Sequence, residues 1–390
     1  MLAHRPCPGA LPERRPPGSG MQDGGKPRNG PGCLAGRWKF GERRFSRRRF
    51  DLRPWGPSGE ILSVKRTTWT NHTLQPAAEE HLRHQLAVRG HRLLSSKSSS
   101  RSVLLAGEAD PSLAEADIAY GQPCPRDILA HPSIRWVALS TAGHARYDAL
   151  EFRAAMRERG TVVTNASAVF ADPCAQHVIA GMLALARNLP SQLRNQDGPR
   201  DWRYLEDRFT ASVLTGQSVV ILGFGAIGRR LAELLAPWGL RMVGFRRRAT
   251  GDETIPIVIG EDALLEALQQ ADHVINTLPD SSATRGFLDQ ARLSRFKPGA
   301  RFYNIGRGTT VDQDALIQAL ERGSIGAAYL DVMDPEPLPP DHPLWEAPNC
   351  HLTCHVGGGT VDQDDRLVRH FLGNLDRLEA GQPLIDRILS

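Results

Sequence analysis

GQSVVILGFGAIGRRLAELLA, residues 216–236, runs strand, glycine turn and helix in direct succession. SVVILG is a continuous apolar run, as expected of a parallel strand covered on both faces. GFGAIG (223–228) is a G-x-G-x-x-G, and it opens a segment with the apolar spacing of a helix. Glycine-rich turns are common, so the motif alone is weak. A strand before it and a helix after it are what a dinucleotide fingerprint requires. Gly223 is expected to make the tight turn, Gly225 to let backbone approach a pyrophosphate, and Gly228 to let helix pack on strand. Ala226 and Ile227 fall between them, at a helix N-terminus whose free N–H groups suit phosphate.

The next strand, RMVGF, ends at Phe245. An NAD site usually places Asp or Glu there, about 20 residues past the glycines, on the ribose 2′-hydroxyl. This chain has Arg246, Arg247 and Arg248 instead. A carboxylate repels a 2′-phosphate, whereas arginine forks pair with it. Arg246 and Arg247 therefore favour NADP, with NAD as a second possibility.

Outward from the glycine turn, strand and helix signals alternate. AAEEHLRHQLAV (77–88) has helical spacing, and DIAYG (117–121), IRWVALS (134–140) and TVVTNAS (161–167) read as short strands ending in turns. That alternation predicts an α/β fold with parallel sheets. DPCAQHVIAGMLALARN (172–188) reads as a long amphipathic helix opened by Asp172 and Pro173, a favoured start. The chain shows no internal repeat.

Ligands of open parallel sheets bind at the carboxyl ends of the strands. HVINTLP (273–279) delivers Thr277, Leu278 and Pro279 there, with Thr284 just beyond. ARFYNIGRG (300–308) delivers Ile305, Gly306 and Arg307; IGAAYLDVMDPEPLP (325–339) delivers Asp331 and Glu336. NCHLTCHVGG (349–358) delivers His355 and Gly357. With the glycine turn, these strand ends are the expected cofactor groove. Hydride transfer to a ketone needs a cation for the substrate carboxylate and an acid for the incipient alkoxide. Arg307 supplies the first. His355 suits the second, since histidine titrates near neutrality, and a carboxylate such as Glu336 can hold its ring. Taken singly, each also reads as an ordinary surface or loop residue.

GFGAIG, NTLPDSSATRGFL, FKPGARFYNIGRG, AAYLDVMDPEPLPPDHPLWEAPN and LTCHVGG together resemble the D-isomer-specific 2-hydroxyacid dehydrogenase family, over roughly residues 61–390. The likeness is to its NADP-preferring glyoxylate/hydroxypyruvate reductase branch. It implies Arg307 as substrate-binding, Glu336 as the partner of the histidine, and His355 as the catalytic acid/base. The family's substrate loop falls on STAGH, giving Ala142 and Gly143 as ligands of the substrate carboxylate. The implied fold is a Rossmann-type nucleotide-binding domain (166–357) plus a flavodoxin-like substrate domain split between 61–165 and 358–390. The resemblance also implies a homodimer formed through helix 172–188. Two positions depart from the pattern: Cys354 replaces the proline before the histidine, and Gln176 replaces a glutamate. The same fold also hosts corepressor-like nucleotide sensors and formate dehydrogenases. The latter place a glutamine where Glu336 stands.

Cys350, His351, Cys354 and His355 also invite a zinc reading. On one strand Cys350 and His351 point to opposite faces, and Cys350 and Cys354 lie ~13 Å apart at strand rise. Zinc wants four ligands gathered tetrahedrally, so no metal is expected.

Composition sets the remaining bounds. With 41% hydrophobic and 23% charged residues, the chain has an ordinary globular makeup. No apolar run approaches the ~20 residues of a membrane-spanning helix, and no secretory signal is evident. Six irregularly spaced cysteines do not form a disulfide framework, so a reducing cytoplasm is expected. Residues 1–60 hold thirteen Lys/Arg against five Asp/Glu, and a third of them are Gly or Pro. That segment, including RRFSRRRF (43–50), reads as a solvated tail or an over-extended start rather than a nucleic-acid-binding element.

Overall fold

A strand buried on both faces sits at the centre of each of two parallel sheets. The computed structural model describes residues 65–100 and 108–389, which belong to one compact unit. The basic segment 1–60 lies outside the described residues.

The chain opens with β1 (Thr67–His72), α1 (Pro76–Val88), β2 (Arg92–Ser100), β3 (Ile118–Gly121), α2 (Pro125–Ala130), β4 (Trp136–Leu139), α3 (Leu150–Arg159) and β5 (Val162–Thr164). These five strands pair in parallel in the order β2-β1-β3-β4-β5, the flavodoxin-like winding. Three helices follow: α4 (Ser167–Ala186), α5 (Leu189–Asp197) and α6 (Tyr204–Thr210).

The second lobe then runs through β6 (Ser218–Leu222), α7 (Ala226–Leu235), β7 (Arg241–Phe245), β8 (Ile257–Val258), α8 (Glu261–Gln270), β9 (His273–Asn276), α9 (Gln290–Leu293), β10 (Ala300–Asn304), α10 (Gln313–Glu321), β11 (Ile325–Leu330) and β12 (Cys350–Leu352). Its order is β8-β7-β6-β9-β10-β11-β12, the doubly wound Rossmann order with one extra strand. The winding reverses between β6 and β9, so a crevice opens at their carboxyl ends. Val219, Val220, Ile221 and Leu222 of β6 are all buried, as the continuous apolar run predicts. Gly223 has φ of +87°, and a Cβ on Gly228 would stand 2.5 Å from the Gly223 carbonyl oxygen. Both glycines therefore play the parts the motif assigns them.

After β12 the chain returns to the first sheet. α11 (Gln363–Glu379) packs on it, and β13 (Arg387–Leu389) adds an antiparallel strand to β5. Phe371 of α11 stacks on Trp136 at 5.0 Å between ring centroids and lies 4.6 Å from Tyr120. Burying such a side chain contributes about 1.5–3 kcal/mol. α11 thus ties the end of the chain to the sheet built from its beginning.

Two expectations are corrected. α4 begins at Ser167, not at Asp172, and contains Pro173. A proline inside a helix removes one donor to the carbonyl four residues earlier. That carbonyl belongs to Val169, and it accepts instead from Arg366 Nη2 of α11 at 3.3 Å. The helix passes its proline because a side chain from the other end of the chain replaces the missing N–H. α4 is also 20 residues long and apolar enough to cross a bilayer by composition, unlike the expectation of no such segment. Ten of its residues are buried inside the protein, and it carries Asp172, Gln176 and His177.

Candidate active site

The crevice at the switch point continues into a cavity of about 570 Å³ between the lobes, with a smaller one of about 250 Å³ beside it. Gly225, Ala226 and Ile227 line the smaller cavity with Thr277, Leu278, Pro279, Ile305 and Gly306. α7 begins there, with Gly225 at its cap and no side chain capping its N-terminus. Its orphan N–H groups and their dipole fit a dinucleotide pyrophosphate. The turn is held from below: Thr277 Oγ1 donates to the Gly223 carbonyl at 2.6 Å, and Asn276 Nδ2 donates to Asn304 Oδ1 and Thr310 Oγ1 at 2.9 and 2.7 Å.

Arg307, His355, Ala142 and Gly143 all line the larger cavity. Arg307 follows β10, and its backbone carbonyl accepts from Asn304 Nδ2 at 3.2 Å and Thr310 Oγ1 at 2.6 Å. Its guanidinium lies directly against the 142–143 loop, since a Cβ on Gly143 would collide with Nη2. Gly308 is the other close approach, because a Cβ there would strike the Met333–Asp334 backbone. The segment after β10 and the segment after β11 are therefore in direct backbone contact.

That second segment carries Glu336. Its Oε1 accepts from the Met333 N–H at 3.0 Å, and its Oε2 lies 2.8 Å from His355 Nδ1. Burial alone would raise the Glu336 carboxyl, but hydrogen bonds from His355 and the Met333 backbone hold it below its ordinary value. A carboxylate only accepts, so Nδ1 carries the hydrogen, and Nε2 is the nitrogen left for the cavity.

His355 has φ of +52°, a left-handed conformation that is unusual for a residue with a Cβ. Asp331, 1% exposed, fixes it. Its backbone carbonyl accepts from the His355 N–H at 2.8 Å. Its carboxylate accepts from the N–H groups of Val356 and Gly357, both at 2.9 Å, and from Thr353 Oγ1 at 2.6 Å. His177 of α4 reaches the same cluster, 3.1 Å from Thr353 Oγ1. Cys354, standing where proline was expected, is exposed and takes no part in this clamp.

Several predicted residues sit elsewhere. Thr284 lines neither cavity; its hydroxyl donates to the Pro279 carbonyl at 2.5 Å. Gly357 packs behind the cavity wall on Ile305 and Asp331. Arg246 Nη1 lies 3.0 Å from Glu253 Oε1 and donates to Thr250 Oγ1 at 3.0 Å. Hydrogen bonds from the Thr250 backbone and hydroxyl and from the Gly251 N–H hold the Glu253 carboxyl at about 2. A carboxylate therefore meets the strand-end arginine after all, brought back by the loop from seven positions on. Arg247 and Arg248 are exposed.

The strand expected through CHLTCH stops at Leu352, so the alternation argued for Cys354 and His355 does not apply to them. Burial pushes the Cys350 thiol up to about 12, away from the thiolate that a metal ligand requires. Among the described residues no cluster of three or more His, Cys, Asp or Glu could hold a metal.

Gln122, Arg146, Phe170, Cys174 and Gln363 line the larger cavity but escaped sequence reasoning. Only Arg146, three positions past Gly143, carried a local signal. The others come from segments that topology alone brings together.

Residues 179–357 match the D-isomer specific 2-hydroxyacid dehydrogenase, NAD binding domain family. Glyoxylate/hydroxypyruvate reductase B of Pectobacterium atrosepticum is 32% identical over 278 residues, covering 70% of this chain and 85% of its own. Glyoxylate/hydroxypyruvate reductase A of Photorhabdus laumondii is 32% identical over 207 residues, covering 53% of this chain and 64% of its own. A D-isomer specific 2-hydroxyacid dehydrogenase from Xanthobacter autotrophicus Py2, solved in complex with NADPH and MES, superposes with a TM-score of 0.68 at 27% identity, covering 83% of this chain and 98% of that one. A coherent dinucleotide groove, a carboxylate-held histidine and relatives of this closeness leave one assignment: the chain belongs to the D-isomer specific 2-hydroxyacid dehydrogenase family, as an NAD(P)-dependent enzyme.

Proposed function

We propose that the protein is an NADPH-preferring reductase of 2-keto acids, with His355 as the proton donor. The 2.8 Å contact between Glu336 and His355, beside Arg307 and Gly143 in one cavity, carries this reading. Arg307 pairs with the substrate carboxylate and polarises the adjoining carbonyl, while the N–H groups around Ala142 and Gly143 receive the carboxylate's other oxygen. When bound, the dinucleotide supplies the hydride for the carbonyl carbon. His355 delivers the proton from Nε2 to the carbonyl oxygen, and the product is a 2-hydroxy acid. Glu336 stabilises the charged ring before that transfer and keeps it oriented. Asp331 fixes the loop that carries the ring.

The cofactor preference rests on Arg246 and Arg247. Arg247 is exposed at the strand end, and Arg246 is already ordered there by Glu253. A homodimer is favoured by an apolar surface on α5, α6 and their flanks. Of the exposed large hydrophobics among the described residues, Leu189, Leu193, Trp202, Tyr204, Leu205, Phe209 and Val213 all fall there. Such a concentration marks an interaction face. The unbridged Cys124, Cys174, Cys350 and Cys354 fit a reducing cytoplasm. Initial rates of NADPH and NADH oxidation with glyoxylate, hydroxypyruvate and pyruvate test the assignment. Tight nucleotide binding with no turnover of any 2-keto acid would make the protein a sensor instead.

A further inference from the structure

Asp331 is a carboxylate with almost no exposure, so its charge has to be answered inside the protein. Thr353 Oγ1 and the N–H groups of Val356 and Gly357 do part of this. Among the described residues its nearest basic group is His177, whose Nε2 lies 3.5 Å from Oδ1. His177 belongs to α4, 176 positions before Thr353. The direction of each hydrogen bond follows from its partners. A carboxylate only accepts, so the Thr353 hydroxyl gives its one hydrogen to Asp331 Oδ1. Toward His177, 3.1 Å away, Thr353 Oγ1 can then only accept. His177 therefore carries a hydrogen on Nε2 and donates it. The chain of bonds runs from His177 through Thr353 to Asp331, and from the same Oδ1 to the N–H directly after His355.

The packing holds the ring in this role. It lies 5.4 Å from the ring of Tyr329, whose hydroxyl is 3.3 Å from the same Nε2. Burial pushes the Tyr329 phenol up, so it stays a neutral hydroxyl. A Cβ on Gly181, one turn along α4, would stand 2.8 Å from the Tyr329 ring. A Cβ on Gly357 would stand 3.0 Å from His177 Cδ2. Glycine at both positions lets α4 and the 353–357 turn close on the histidine. That turn needs support, because a left-handed backbone at a residue such as His355 persists only where its surroundings impose it.

We infer that His177 is a positioning residue for the proton donor: it orders Thr353 and Asp331, which fix the backbone on either side of His355 and so the direction of its ring. This rests on the reading of His355 as the donor, and the test separates the two. His177→Leu removes the N–H, His177→Gln keeps one at about the same reach, and Thr353→Val removes the hydroxyl between ring and carboxylate. With NADPH and the best keto acid, His177→Leu is expected to lower kcat about 10–100-fold, the worth of one hydrogen bond in a charged network. KM and NADPH affinity, the latter by fluorescence titration, stay within about threefold, because Arg307 and the 223–228 turn are not part of this chain of bonds. His177→Gln recovers most of the loss. Adding His177→Leu to Thr353→Val costs less than about threefold more, since the bond it removes is already broken. A residue that merely filled space would lower Tm, leave kcat near wild type, and multiply its effect with that of Thr353→Val. A His177→Leu enzyme with wild-type kcat overturns the inference and leaves the reductase standing. So do multiplicative losses in the double variant. If the leucine variant does not fold, His177→Asn, whose amide is too short to reach Thr353, takes its place with the same expected losses. A His355→Ala enzyme that keeps its turnover, or a wild type that reduces no keto acid, removes the donor reading, and this inference falls with it.

Discussion

Gly308→Ala adds one methyl group where two catalytic segments touch. A Cβ at this position would stand 2.5 Å from the Asp334 nitrogen and closer still to the Met333 carbonyl, whereas ordinary contact begins at 3.4 Å. The obstacle is backbone on both sides, so no rotamer change relieves it. The Asp334 nitrogen alone demands a retreat of about 0.9 Å, and the closer Met333 carbonyl demands more. Met333 is the residue whose N–H holds Glu336 Oε1, and Glu336 in turn holds His355. Its movement therefore reaches the histidine through two hydrogen bonds. Overpacking of this kind costs about 1–3 kcal/mol of stability. A misplacement near 1 Å in a catalytic group costs on the order of 10²-fold in rate. The assay is kcat/KM for the best keto acid, with Tm and NADPH affinity measured alongside. The expected result is a rate about 100-fold lower, a reduced Tm, and dinucleotide affinity within a few-fold of the wild type, because the 223–228 turn lies on another strand. A Gly308→Ala enzyme with wild-type rate and melting would refute the proposed coupling between Arg307, Glu336 and His355.

His355→Ala is expected to lower turnover by about 10²–10⁴-fold with NADPH binding kept, measured by fluorescence titration beside steady-state rates. Glu336→Gln preserves shape but removes the charge, and a loss of about 10–100-fold in kcat is expected; an unaffected rate would leave the histidine's orientation to Asp331 alone. Arg246→Asp should reverse a preference for NADPH over NADH of roughly tenfold or more, and rising salt should weaken NADPH binding more than NADH binding. Asp272 reports on acid stability. Burial opposes its ionisation, but Lys297 and the N–H and hydroxyl of Ser218 outweigh that and hold it at about 2. A depressed carboxyl contributes stability that is full above its unfolded value of 3.8 and is lost as pH falls toward 2. Asp272→Asn should therefore cost about 2 kcal/mol in urea unfolding at pH 7 and flatten the decline between pH 4 and 2.

The Rossmann lobe was readable because its signals are local. Strand, glycine turn and helix at 216–236 lie in one window, and Arg307, Glu336 and His355 each follow a recognisable strand. What escaped was set by distance. Pro173 looked like a helix start because the group that replaces its missing N–H, Arg366, lies almost 200 positions away. Glu253 went unweighed because a loop folds it back onto Arg246. Phe170, Cys174 and Gln363 reach the cavity from α4 and α11, whose faces depend on how the split lobe closes. The expected strand through Cys354 ends at Leu352, because the chain turns left-handed at His355 and the next two N–H groups bond to the Asp331 carboxylate, a residue more than twenty positions earlier.

The divided small lobe also bears on how the chain is made. Phe371 completes a core that Leu82, Leu86, Tyr120 and Trp136 began, and β13 closes the edge of β5. At about 5–20 residues per second, a ribosome delivers α11 on the order of 10–50 s after Trp136. For that interval α1 alone covers this apolar face of the first sheet. The segment from β6 to β12 is contiguous and can close its own sheet as soon as it emerges. Its last strand, β12, ends at Leu352, so the second sheet has all its strands about 1–5 s before α11 is fully synthesised. The lobe whose synthesis starts second is the first to have all its strands in hand.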